Sequence, residues 1–139
     1  MALTHDHKIY AWGSGSYGEC GYGKFQHICI PTEVKIIQSG EEINPPIKQI
    51  SAGGHHSMIL TKSGKVYTFG FGQHGQLGHK SNANQSRPRL VKDLLSKPID
   101  KIAAGWNHSL VLTEKGDLFA CGYANFGQLG LKEDCQLKP

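Results

Sequence analysis

The chain has 139 residues, room for one ordinary domain, with 38% hydrophobic residues, 18 glycines and a net charge of +4. So mild a charge predicts a solvated surface rather than a nucleic-acid footprint, and no apolar run approaches the length that spans a bilayer. The polar start, Met1 to Tyr10, lacks a secretory core segment, which predicts a cytoplasmic or nuclear protein whose four cysteines stay reduced and, without a CxxC pair, hold no zinc.

The first predicted element is a hairpin. Leu3-Thr4 and Lys8-Ile9-Tyr10-Ala11-Trp12 flank Asp6-His7, two residue types that tolerate a left-handed backbone. A glycine-rich turn follows, from Gly13 through Gly18 to Gly21. Pro31 introduces Thr32-Glu33-Val34, a short outer strand, and Gln38 to Pro46 reads as a polar connecting loop. The next hairpin is clearer. Ile50 to Ser57 leads into Met58-Ile59-Leu60-Thr61, a turn at Lys62-Ser63-Gly64, and Lys65-Val66-Tyr67-Thr68-Phe69. A second glycine turn spans Gly70, Gly75 and Gly78. Pro88-Arg89-Leu90-Val91 then predicts another outer strand, with one helical turn between Leu90 and Leu95. From Ile102 the series recurs: a hairpin around Glu114-Lys115-Gly116, then a third glycine turn with Gly122, Gly127 and Gly130.

These glycines keep register. Gly13, Gly70 and Gly122 stand 57 and then 52 residues apart, as do Gly18, Gly75 and Gly127, and Gly21, Gly78 and Gly130. Gly53 and His56 reappear as Gly105 and His108. Recurrence at such a period marks a repeat architecture. The glycines supply positive φ and close backbone approach. The first two turns also match GxGxxG, but a dinucleotide site needs a helix behind it and an acidic residue beyond, and no helical periodicity follows here. The prediction is therefore all-β, with four short strands per repeat. Residues 1–46 form an incomplete first repeat, 47–98 a second, and 99–139 a third truncated at its outer strand.

Alignment of the repeats assigns most side chains. Cys20 takes the slot of Leu77 and Leu129, and Cys121 that of Trp12 and Phe69, so both read as small core residues. Cys29 and Cys135 acquire no role. Tyr10, Tyr67 and Phe119 align as packing residues, and Gln76 and Gln128 are expected to bond loop backbone. His56-Ser57 and His108-Ser109 suggest a base beside a nucleophile. Strand neighbours point to opposite faces, however, and a catalytic pair has no reason to recur in each repeat. The expectation is buried histidines whose ring nitrogens bond backbone groups. His5, His7, His27, His74 and His79 fall in turns or loops, where exposure is expected. No catalytic, cofactor-binding or metal-ligating constellation emerges. Two partner-contact candidates do. Arg87 and Arg89, with Lys92, Lys97 and Lys101, form the densest basic stretch, diluted by Asp93 and Asp100. Trp106 stands where the other repeat has Gly54, so the repeat does not demand it, and tryptophan is enriched in binding hot spots.

A repeat of roughly 50 residues with Gly-x-x-His-Ser, a hairpin turn ending in Gly and a Gly-Gln-Leu-Gly ending resembles the regulator of chromosome condensation repeat. Two repeats match throughout and a third lacks its opening strand. The resemblance implies a seven-bladed β-propeller of four-stranded antiparallel blades, of which this chain holds about two and a half. Open apolar blade faces imply a piece of a longer propeller, or self-association. The resemblance also implies a non-catalytic protein–protein interaction module, a scaffold or adaptor, with a small GTPase or a ubiquitin-pathway protein as partner. The alternative is guanine-nucleotide exchange on a Ran-type GTPase with chromatin association. In that family, exchange depends on a wedge protruding from one blade. Here Tyr22 to Cys29 and His79 to Ser86 are compact segments of similar length, without such an insertion.

Overall fold

The computed structural model describes residues 1–130. The apolar runs form twelve strands. They are β1 (Ala2–Leu3), β2 (Ile9–Gly13), β3 (Ile28–Glu33), β4 (Ile36–Gln38), β5 (Glu41–Ile43), β6 (Ile47–Ala52), β7 (His56–Thr61), β8 (Val66–Gly70), β9 (Gln85–Leu90), β10 (Ile99–Ala104), β11 (His108–Thr113) and β12 (Leu118–Gly122). They assemble antiparallel sheets in the orders β1-β2-β3, β6-β7-β8-β9 and β10-β11-β12, plus a two-stranded β4-β5 ribbon. This is a partial β-propeller. The first blade begins at the position that β7 holds in the second. Any outer strand of the third, with Cys135 and Leu137-Lys138-Pro139, lies outside the described residues.

The hairpin turns share one geometry. In each, a threonine N–H reaches across the turn: Thr4 N to Lys8 O, Thr61 N to Lys65 O and Thr113 N to Asp117 O, all at 2.9 Å. The threonine hydroxyl also accepts the returning N–H at 3.0–3.1 Å. One residue must turn left-handed. His7 does so at φ 64°, where Gly64 and Gly116 stand at 79° and 91° in the other copies. The expected Asp6-His7 turn therefore forms without glycine.

Three boundaries differ from expectation. Both outer strands start earlier, at Ile28 and Gln85 rather than near the prolines, because Ile28 already pairs with Gly13 of β2 and Gln85 with Gly70 of β8. The stretch from Gln38 to Pro46 is not simply loop. Ser39 and Gly40 turn at positive φ, and Ile36, Ile37 and Gln38 pair with Ile43, Glu42 and Glu41 in the β4-β5 ribbon. Its period-two pattern was masked by the polar Glu41-Glu42. The helical turn between Leu90 and Leu95 forms as a 3-10 turn over Lys92–Leu94.

Blades bury their faces against one another. Ile9, Ala11, Val34 and Ile36 pack with Ile59, Tyr67 and Phe69 between the first and second blades. Met58, Leu60 and Val66 pack with Ile102 and Val111 between the second and third. Each fully buried side chain of this size contributes about 1.5–3 kcal/mol. Every residue of β7 is buried, whereas burial in β11 alternates. A blade covers each face of β7; among the described residues, one covers β11.

Polar contacts set the blade-to-blade register. Gln49 acts as a short ladder toward the next blade, its amide donating to Ile102 O at 2.7 Å and accepting from Ile102 N at 3.0 Å. The Ser57 hydroxyl donates to Glu19 O at 2.9 Å, and the Ser109 hydroxyl to Gln76 O at 2.7 Å. In both cases a serine grips the glycine turn of the preceding blade. With the Ser109 proton committed to Gln76, its oxygen accepts from His56 Nε2 at 2.8 Å. The histidine thus bonds a hydroxyl of the next blade rather than the expected backbone, and its Nδ1 has no partner among the described residues. His108, on the side of β11 away from the second blade, is only half-buried, because no described blade covers it. His79 is half-buried rather than exposed. Thr68, which donates to Leu77 O, accepts from His79 Nε2 at 2.9 Å.

Ser109→Ala should destabilise the fold by about 1–3 kcal/mol, since it orphans His56 Nε2 and leaves Gln76 O with only the weak Cys121 thiol donor; denaturant unfolding measures it. Burial also depresses the His56 and His79 pKa values from 6.5 to about 4. The unfolded chain therefore takes up protons first on acidification. Stability should be full above pH 6.5 and fall toward pH 4, with His56 contributing about 3 kcal/mol of the loss. Unfolding midpoints across that range, compared with His56→Gln, check the sign.

Candidate functional site

The glycine turns that the serines grip also build a surface. Each turn closes through two short bonds: Gly18 N to Gly15 O and Gly21 N to Gly18 O in the first, Gly75 N to Gly72 O and Gly78 N to Gly75 O in the second, Gly127 N to Ala124 O and Gly130 N to Gly127 O in the third. The residue before the middle glycine is Tyr17, His74 or Phe126. Its N–H is held by the side-chain oxygen two positions on, Glu19 Oε2 at 2.8 Å, Gln76 Oε1 at 3.0 Å or Gln128 Oε1 at 2.9 Å. That bond faces the turn inward and leaves the aromatic side chain outward, with Tyr17 37% and Phe126 85% exposed. Gln76 and Gln128 bond loop backbone in the expected way.

These rings join others into one row. Trp106 meets His55 at 5.8 Å between centroids, His55 meets Tyr17 at 5.1 Å, and Tyr17 meets Phe71 at 4.9 Å. Phe71 then meets His74 at 5.5 Å, His74 meets Tyr123 at 5.0 Å, and Tyr123 meets Phe126 at 5.9 Å. Interplanar angles run from 58° to 76°, edge-on for the first four pairs, as aromatic pairs prefer, and tilted for the two at Tyr123. Seven rings from all three blades thus share one loop face. Trp106 sits at its end, 70% exposed, with its ring over Gly54.

The face is short of charge. None of the 15 lysines and arginines falls within residues 12–21, 53–57, 69–78, 105–109 or 121–130. Its carboxylate, Glu19, is 11% exposed at the side chain and accepts from Ser14 Oγ at 2.9 Å. His55 Nδ1 lies 4.0 Å from it.

The other candidates lie apart from this row. Arg87 and Arg89 are exposed on β9, where the Arg87 guanidinium lies against Gly23. Cys20 and Cys121 are buried, and desolvation pushes the Cys121 thiol up to about 12. That thiol donates to Gln76 O at 3.3 Å and lines a cavity of ≈ 530 Å3 with Met58, Val66, Leu77, Val91 and Phe119. A thiol held in that form is no nucleophile. His56 bonds Ser109 rather than its neighbour Ser57, so the recurring His-Ser pair builds no catalytic dyad within a blade. Among the described residues, no group of three metal-ligating side chains converges.

Sequence reasoning singled out Trp106 as a candidate but none of the six rings beside it. The signal was present: Tyr17, His74 and Phe126 share one offset in the repeat, and Phe71 and Tyr123 share another. Rings recurring at turn positions, where no core can receive them, point to a surface.

Comparison with known proteins agrees with this architecture. The family model described as "Regulator of chromosome condensation (RCC1) repeat" matches residues 6–60 and 63–112. The chain is 36% identical over 131 residues to human E3 ubiquitin-protein ligase HERC2, covering 93% of this chain and 3% of that protein. It is 36% identical over 124 residues to the mouse secretion-regulating guanine nucleotide exchange factor, covering 88% of this chain and 26% of that one. A crystal structure of Kap60 bound to yeast RCC1 (Prp20) contains a chain that superposes with a TM-score of 0.80 at 25% identity, covering 94% of this chain and 31% of its counterpart. The chain therefore spans about a third or less of each.

Trp106→Ala should leave stability within about 0.5 kcal/mol, since an exposed ring away from the core contributes little. Unchanged circular dichroism and unfolding midpoint would separate a surface role from a core role.

Proposed function

The chain belongs to the regulator of chromosome condensation repeat family, and from that premise we propose that its ring-lined face docks a protein partner without chemistry of its own. The observation that carries this reading is the continuous row from Trp106 to Phe126. Exposed aromatic residues clustered on one face are the composition of binding hot spots, and soluble proteins rarely leave such patches unused. Preset turns hold the rings, so little side-chain entropy is lost on binding. The relatives' names support a module that binds: a ubiquitin ligase and an exchange factor share the repeat but not a reaction. Small GTPases and ubiquitin-pathway proteins are the partner classes to try first.

The experiment is affinity capture with the wild-type chain and with Trp106→Ala/Phe126→Ala, read by quantitative mass spectrometry. Partners enriched by the wild type should be lost with the double variant at equal circular dichroism. Partners retained by both would put docking elsewhere. The exchange-factor relative makes catalysed nucleotide release the second reading. A fluorescent-nucleotide release assay on Ran-type GTPases should show no acceleration; a dose-dependent increase would favour exchange.

A further inference from the structure

We propose that the Trp106 end of the ring row is a receptor for a cationic side chain, an arginine or lysine on an extended segment of the partner. This rests on the docking reading and names the chemistry that the face selects. Three rings meet there, and the Glu19 carboxylate lies 4.0 Å from the middle one, His55. His55 meets Trp106 at 76° and Tyr17 at 66°, so the rings stand edge-on to one another instead of stacking flat. One side of the Trp106 ring is covered by Gly54 and the rest is open. A cation over an open tryptophan face is attracted by the ring quadrupole.

Glu19 supplies the second observation. Gln76 and Gln128 occupy its slot in the other turns and make the same bond to the N–H two positions back. The turn therefore needs a side-chain oxygen, not a charge. Glu19 adds a negative charge to a turn that folds without one. Its oxygens accept from the Ser14 hydroxyl and the Tyr17 N–H, and among the described residues no lysine or arginine reaches it. A carboxylate has capacity for further donors, and a guanidinium can stack on a ring while donating to it.

The charge distribution of the chain completes the argument. A protein of net charge +4 keeps every lysine and arginine off the loop segments of this face. Among the described residues, Lys62 and Lys115 stand in hairpin turns and Arg87 and Arg89 on an outer strand. No lysine or arginine in those loop segments competes with an incoming cation; the one titratable base beside Glu19 is His55, whose Nδ1 lies 4.0 Å away.

The test titrates the whole chain, carrying Trp12→Phe so that fluorescence reports on Trp106, with a short Gly-Ser peptide bearing one arginine. Phenylalanine already fills the Trp12 slot at Phe69. The probe's counterpart carries citrulline, which keeps the shape and removes the charge. The arginine peptide should bind, and the citrulline peptide should bind roughly tenfold more weakly or worse. Glu19→Gln, which keeps the turn's own hydrogen bond, should weaken arginine-peptide binding by about the same factor. Equal binding of the two peptides, equal binding by Glu19→Gln, or no arginine-peptide binding at about millimolar concentration would overturn the proposal. If Glu19→Gln keeps partner capture while Trp106→Ala/Phe126→Ala loses it, the docking face stands and the cation receptor falls.

Discussion

The bond from the Ser109 hydroxyl to the Gln76 carbonyl, with His56 donating to the same hydroxyl, is the contact on which the arrangement depends. It joins three parts of the repeat: the buried histidine of one blade, the serine of the next, and the glycine turn of the first. All three are nearly inaccessible to water, so the bond forms in a medium where an unpaired partner would be costly. Period-two alternation along a strand makes it possible. His56 and Ser57 point to opposite faces of β7, so the histidine looks forward to the third blade while the serine looks back to Glu19 of the first. A dipeptide that resembles a catalytic pair is a two-sided connector.

The glycine turn answers to two demands at once. Its carbonyl at Glu19 or Gln76 receives the serine of the following blade. Its side chain at the same residue holds the N–H of the aromatic residue two positions earlier. One residue therefore ties the propeller's interior to its ring-lined surface. Binding residues on loops are useful when a rigid scaffold sets their positions, and here the scaffold is the blade contact itself. Cys121, where the preceding copy has Phe69, lines the cavity that borders the second glycine turn.

Electrostatics divides the molecule in the same way. Positive charge lies off the turns that carry the rings, and exposed pairs elsewhere, such as Lys48 on β6 with Asp100 on β10 across two blades, add little stability in water. The ring face carries aromatic area and the Glu19 carboxylate. Area supplies affinity and charge supplies selection, so a face with much of one and a single instance of the other is suited to choosing among partners.

The sequence by itself determined the strands, the turns and the repeat. These depend on local features: alternation of apolar residues, glycine where φ must be positive, and recurrence at fixed offsets. It also pointed to Trp106, because a repeat shows which of its members are unnecessary. The β4-β5 ribbon escaped because two glutamates disguise its alternation. The blade-to-blade bond of His56 and the row from Trp106 to Phe126 were decided only in the tertiary structure. Both depend on contacts between residues dozens of positions apart, brought together by the rotation from one blade to the next. A repeat records what each blade does alone; only the packed stack decides which side chains of neighbouring blades meet.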